Sequence, residues 1–195
     1  MKKRRLGLLV LSLLLTGCSE TTLNTSYDVN KYYEYVDRCA RAGKQFMPVL
    51  GSFSDYNDIS VSLTTSSHSL GHKDTIPYGL MLFVSYDVDI FEVKKEEVNQ
   101  NYSFVEEPII DNDDDILMPA IDVLFYGYRI RVVKNEQFYY PKNFGMIGIN
   151  EDTQTIAYMY YEENDIDLLA TVGDSIEKQE HSFIYLISQT FVFPE

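Results

Sequence analysis

Three histidines, thirty acidic residues and two cysteines are the raw material for metal, acid–base or nucleophilic chemistry in this chain. His68-Ser-Leu-Gly-His72-Lys-Asp74 places two imidazoles and a carboxylate on one short segment, a ligand set that zinc accepts. Gly71 and the surrounding serines make that segment a loop, however, and in a loop the His68–His72 spacing does not align two rings. A zinc site also needs further ligands held by outer hydrogen bonds, and His181 lies far away in sequence. A solvated loop is the expected reading. Gly51-Ser52-Phe53-Ser54-Asp55-Tyr56 sets a serine beside glycine, but the pattern is not Gly-x-Ser-x-Gly and no strand leads into it. It reads as a helix-to-strand connection. Cys39 sits in a helical stretch with no histidine nearby to activate its thiol, so a buried apolar cysteine is expected. No catalytic residue is assigned.

Asp111-Asn-Asp113-Asp114-Asp115, with Asp122 beyond, concentrates carboxylates as a calcium site would. In an EF-hand loop, Asp111, Asp113, Asp115 and Asp122 would take the first, third, fifth and twelfth positions. Ile116 then stands where the turn needs glycine, Asp122 where a bidentate Glu is expected, and Pro119 falls inside the loop. The motif fails. An acidic surface loop is expected, with Asp111, Asp113 and Asp115 the candidates for adventitious calcium at millimolar levels. Gly145 and Gly148 lie in a hairpin strand and do not make a dinucleotide fingerprint. No cofactor is expected.

Sixteen tyrosines and eleven phenylalanines, with no tryptophan, form the last chemical feature. Tyrosines cluster at 32, 33 and 35, at 126 and 128, at 139 and 140, and at 158, 160 and 161. Outward-facing rings would suit recognition of a protein or a glycan, because tyrosine offers large contact area at small entropic cost. Rings that fill half-buried sheet positions are the other reading, and the preferred one.

At the N-terminus, Lys2, Lys3, Arg4 and Arg5 precede an apolar run from Leu6 to Leu15, the order of a secretory signal. The run falls short of the roughly 20 apolar residues needed to span a bilayer. Leu15-Thr16-Gly17-Cys18 then resembles the lipobox of bacterial lipoproteins. The resemblance covers only the start of the chain. It implies that residues 1–17 are a signal peptide, that the Cys18 thiol carries diacylglycerol, and that cleavage falls just before it. Plain secretion is the alternative. Multiple acyl chains anchor far more firmly than one, at about 0.8 kcal/mol per buried CH₂. The implied location is the extracytoplasmic side of the cell membrane or, in an envelope with two membranes, the outer membrane, which Ser19 permits by analogy.

Charge narrows the partners. The formal net charge is −14, and residues 1–17 hold four of the sixteen basic residues and no acidic one. Without them, twelve basic residues face thirty acidic ones. Such a surface repels phosphate backbones and anionic headgroups, so nucleic acid is not an expected partner. The membrane is reached through lipid. With Cys18 acylated, Cys39 has no disulfide partner within the chain.

The elements that must position these groups follow from periodicity. Residues 18–27 are small and polar and read as a lipidated tether; residues 28–195 read as a single globular domain. Apolar spacing of three, four and seven from Val29 predicts a helix over 29–44, started by Asp28 and stopped near Gly43 and Pro48. Ile59, Val61, Leu63 and Thr65 alternate with polar residues, a strand with one buried face. Gly79–Tyr86 is apolar on both faces and reads as a central strand. Phe91, Val98 and Tyr102 fit one face of a short helix, or else the chain continues as a strand. Residues 121–133 are strand-like, Lys134–Gln137 turn the chain into Phe138-Tyr139-Tyr140, and a hairpin joins Gly145–Ile149 to Thr155–Tyr161. The run Phe183–Phe193 reads as a last buried strand. The expected class is α+β, a mainly antiparallel sheet with an N-terminal helix. The expected role is a non-catalytic binding or interaction module with an envelope protein or glycan as partner. A metal-dependent envelope hydrolase and an accessory subunit of an envelope complex are the alternatives.

Overall fold

Apolar runs long enough to fill both faces of a strand force a sheet with cover on both sides, and that is the architecture found. The structure, a computed structural model, describes residues 21–68, 78–110, 116–163 and 176–193. Its elements in chain order are β1 (Thr21–Ser26), α1 (Tyr32–Arg38), α2 (Arg41–Phe46), β2 (Tyr56–His68), β3 (Tyr78–Tyr86), α3 (Val88–Asn101), β4 (Ile109–Ile110), β5 (Ile116–Met118), β6 (Asp122–Phe125), β7 (Tyr128–Val132), β8 (Asn143–Asn150), β9 (Thr155–Glu162) and α4 (Ile176–Thr190). Seven strands form one sheet in the order β1-β2-β3-β9-β8-β7-β6, and β4 pairs with β5 separately. Every neighbouring pair is antiparallel. The fold is α+β with a mainly antiparallel sheet.

Register sorts the side chains onto two faces, since directly paired residues point the same way. Val61, Leu82, Tyr158 and Ile147 stand in one row across β2, β3, β9 and β8. This face is covered by α1, α2 and α3: a Cβ on Gly43 of α2 would lie 2.5 Å from the Tyr160 ring. Gly79, Tyr161 and Phe144 mark the opposite face, where α4 packs Phe183 at 6.2 Å from the Phe144 ring. Tyr158, Tyr160 and Tyr161 are therefore all buried.

Several elements depart from the sequence reading. The helix expected over 29–44 is a 3-10 turn (Val29–Lys31) followed by α1 and α2. Cys39 between them is extended, and Ala40, with φ −56° and ψ 166°, is not helical. The Glu162 carboxylate of β9 accepts from the Ala40 N–H at 2.8 Å, so a group distant in sequence starts a new helix where local periodicity ran on. The first described element is accordingly a strand rather than a helix. Residues Thr21–Ser26, expected within the tether, pair with the edge of β2, as backbone groups do regardless of side-chain polarity. The strand at Ile59–Thr65 has both faces covered: Ser62 and Thr64 are each 2 % exposed. The run Phe183–Phe193 is mostly helix. Its buried residues Phe183, Leu186, Ile187 and Thr190 follow helical spacing. Phe138–Tyr140 makes no strand, only an isolated bridge from Tyr139 to Asn143.

Other expectations hold. β3 is central, α3 is a helix burying Phe91 and Val98, and β8 and β9 form the hairpin. Asn150 Oδ1 accepts from the N–H groups of Asp152 and Thr153 at 3.0 and 3.1 Å, which closes the turn. The strand-like stretch 121–133 is itself a hairpin, turned at Tyr126 and Gly127 with φ of 49° and 78°, the two-residue geometry whose twist matches the strands. Among the described residues, no helix is long and apolar enough to cross a membrane.

Candidate functional site

Where α3 ends, the helical cover of the sheet is incomplete. A cleft of about 420 Å³ opens there between α3, the 3-10 turn Leu50–Ser52 and the strands β3 and β9. β3 supplies Tyr86, its last residue, and β9 supplies Tyr158. Tyr158 pairs with Leu82, so Tyr86, two alternations further along β3, points to the same side. Tyr102 closes α3, its N–H bonded to the Val98 carbonyl at 3.0 Å. Phe53 follows the 3-10 turn, its N–H bonded to the Leu50 carbonyl at 3.3 Å. Lys94 and Glu97 stand one helical turn apart at the mouth and pair at 2.9 Å.

The rings form a bent aromatic wall. Phe53 and Tyr102 flank Tyr158 at centroid distances of 5.8 and 6.3 Å, tilted by 50° and 55°. Tyr86 is 3 % exposed and Tyr158 7 %. The hydroxyls of Tyr86, Tyr102 and Tyr158 have no hydrogen-bond partner among the described residues. The sealed hydroxyls without a partner there are Ser62 and Thr64, on β2. The tyrosine hydroxyls therefore meet the open space of the cleft.

Electrostatics keeps these phenols protonated. Burial, then the Glu97 carboxylate, pushes Tyr86 up to about 12. Burial raises Tyr102. Burial raises Tyr158 further still, helped by the neighbouring Tyr102, Tyr86 and Glu97. Each phenol is thus a neutral group that both donates and accepts. The chemistry this arrangement performs well is hydrogen bonding beside aromatic rings, in a cleft that the polar side chains of Ser52, Lys94, Glu97 and Asn101 also line.

The residues singled out in the sequence scatter. Cys18, His72, Asp74, Asp111, Asp113 and Asp115 lie outside the described residues. His68 ends β2, its backbone paired with Thr21. His181 is exposed on α4. Asp122 is engaged by Arg129, whose Nε donates to Oδ1 at 2.7 Å, and that hydrogen bond holds its carboxyl below the usual range. Cys39 is a buried thiol whose Sγ donates to the Tyr35 carbonyl at 3.6 Å. Among the described residues, no three His, Cys, Asp or Glu side chains gather closely enough to hold a metal ion. Ser52 does reach the cleft, though its Oγ donates to the Val49 carbonyl at 2.7 Å. In the sequence Tyr158 stands out only as one of a cluster, and Tyr86 not at all. No local pattern marks residues that meet through tertiary packing.

A second hollow, of about 280 Å³, gathers Lys95, Arg129 and Arg131. Its cations are already engaged. Lys95 pairs with Glu92 and Glu151 at 2.8 and 3.1 Å. Arg131 lies 3.7 Å over the Phe104 ring and donates to Asn99 at 2.8 Å. No family model, curated protein or solved structure matches the chain.

Proposed function

We propose that this chain is a lipid-anchored, extracytoplasmic binding module whose ligand site is the tyrosine cleft beside α3. The observation that carries the reading is the set of three unpartnered phenol hydroxyls on a concave aromatic wall. Proton transfer near neutral pH needs a group that titrates there, and these phenols are held protonated. Among the described residues the one carboxylate lining the cleft, Glu97, is tied to Lys94. Those features favour recognition over a hydrolase. The signal-like N-terminus and Leu15-Thr16-Gly17-Cys18 support the anchor and a position outside the cytoplasm, on a membrane that the acidic surface would not otherwise approach.

The test of the cleft is a small-fragment screen by NMR on protein carrying ring-labelled tyrosine. Shifts that concentrate on Tyr86, Tyr102 and Tyr158 support the reading. A screen in which no fragment moves these three resonances, or in which hits gather elsewhere, rejects it.

A further inference from the structure

The class of ligand follows from what the cleft leaves unsatisfied. We infer that it takes a neutral saccharide unit, held by the hydroxyls of Tyr86, Tyr102 and Tyr158 and packed against the half-buried ring of Phe53; this rests on the cleft being the ligand site.

Charge balance is the first argument. Lys94 and Glu97 satisfy each other at 2.9 Å, so among the described residues the mouth offers neither an unpaired cation for an anion nor an unpaired carboxylate for an organic cation. The chain's net charge of −14 further disfavours anions.

The second argument is the hydroxyls. Tyr86 and Tyr158 are more than nine-tenths buried yet lack partners among the described residues. A purely apolar ligand or a quaternary ammonium would displace water and leave them unpaired, which binding sites penalise heavily. The ligand must carry several groups that donate and accept, because phenols do both.

The third argument is shape. Phe53, Tyr158 and Tyr102 tilt successively by 50° and 55°. Phe53 and Tyr102 are only half-buried, and the ring surface they leave open suits the weakly positive C–H bonds on the flat side of a pyranose ring. A sugar has that combination, apolar on its face and hydroxylated at its rim. The volume, about 420 Å³, lies within the range of small-molecule sites.

The experiment is calorimetric titration of the full-length protein in a polyoxyethylene detergent, which carries no sugar. The probes are tri-N-acetylchitotriose, maltotriose and cellotriose, with tetramethylammonium as the cationic comparison. Saturable binding of at least one saccharide is expected. Loss of one hydrogen bond in Tyr158→Phe, which keeps the ring, should weaken it about tenfold. Phe53→Ala, which removes a stacking face, should weaken it as well, while Tyr139→Phe on the exposed surface should leave it unchanged. No saccharide binding at millimolar concentration overturns the inference, and so does saccharide binding that both Tyr158→Phe and Phe53→Ala leave intact. If tetramethylammonium or another fragment perturbs the cleft tyrosines where no sugar does, the saccharide assignment falls while the cleft remains the ligand site. If nothing perturbs them, both readings fall.

Discussion

At the scale of single residues, the tyrosines decide both stability and site. Tyr86 titrates at about 12 in the fold against an ordinary value of 10.0. The fold therefore holds that proton more tightly than the unfolded chain does. Its contribution is complete below pH 10 and is lost as pH rises from there through about 12. Tyr32, Tyr158, Tyr160 and Tyr161 are raised in the same direction, chiefly by burial, so their loss adds at higher pH. The protein should unfold cooperatively in alkali, and in ring-labelled protein the resonances of the buried tyrosines should change to phenolate only together with loss of circular dichroism. Phenolate at Tyr86, Tyr158, Tyr160 or Tyr161 in a still-folded chain near pH 10 would mean that these hydroxyls are freely solvated. The same residues hold the cleft's polarity, because a buried phenol that cannot ionise remains a donor throughout the physiological range.

At the scale of elements, the contact between the helices and β9 is the joint on which the cleft face rests. A Cβ at Gly43 would meet Tyr160 at 2.5 Å and the Cys39 Cβ at 2.7 Å. Gly43→Ala must push α2 away from the sheet, at a cost of about 1–3 kcal/mol, as for other overpacked cores; chemical denaturation measures it. Glu162 works at the same joint, accepting from Ala40 N–H at 2.8 Å and from Tyr160 Oη at 3.2 Å. Glu162→Ala removes the acceptor of the Ala40 N–H ahead of α2 and one of the partners of the Tyr160 hydroxyl, for an expected loss of about 1–3 kcal/mol. A change of a few tenths would show that α2 does not depend on this cap. Gly127, at φ 78° in the β6–β7 turn, is the other glycine whose conformation matters. The turn was hidden in sequence because a tyrosine, not asparagine or aspartate, occupies its first central position.

At the scale of the whole molecule, location and surface charge act together. An acidic domain is repelled by anionic lipid, so the proposed thioether at Cys18 supplies the attachment. Cys18→Ala should abolish incorporation of labelled fatty acid and leave a precursor that retains residues 1–17, read by mass spectrometry of the membrane fraction. Unchanged labelling would remove the anchor at Cys18 and leave plain secretion as the reading of the N-terminus.

Much of the fold was legible in local pattern. The central strand 78–86, the 143–162 hairpin and the α3 helix each carry their period or turn chemistry within a few residues, and such signals need no partner to be read. Three features were not. The interruption of the first helix depends on a carboxylate 122 residues away. The C-terminal run is rich enough in Phe, Ile and Leu to pass for a strand, and its packing against Phe144 from α4 accompanies the helical choice. The cleft joins residues of two strands, a helix end and a 3-10 turn, none adjacent in sequence. Composition and the N-terminal motif, properties of the chain as written, determine its charge and its expected export. Which tyrosines lie buried without partners depends on what packs over them, and that only the tertiary structure decides.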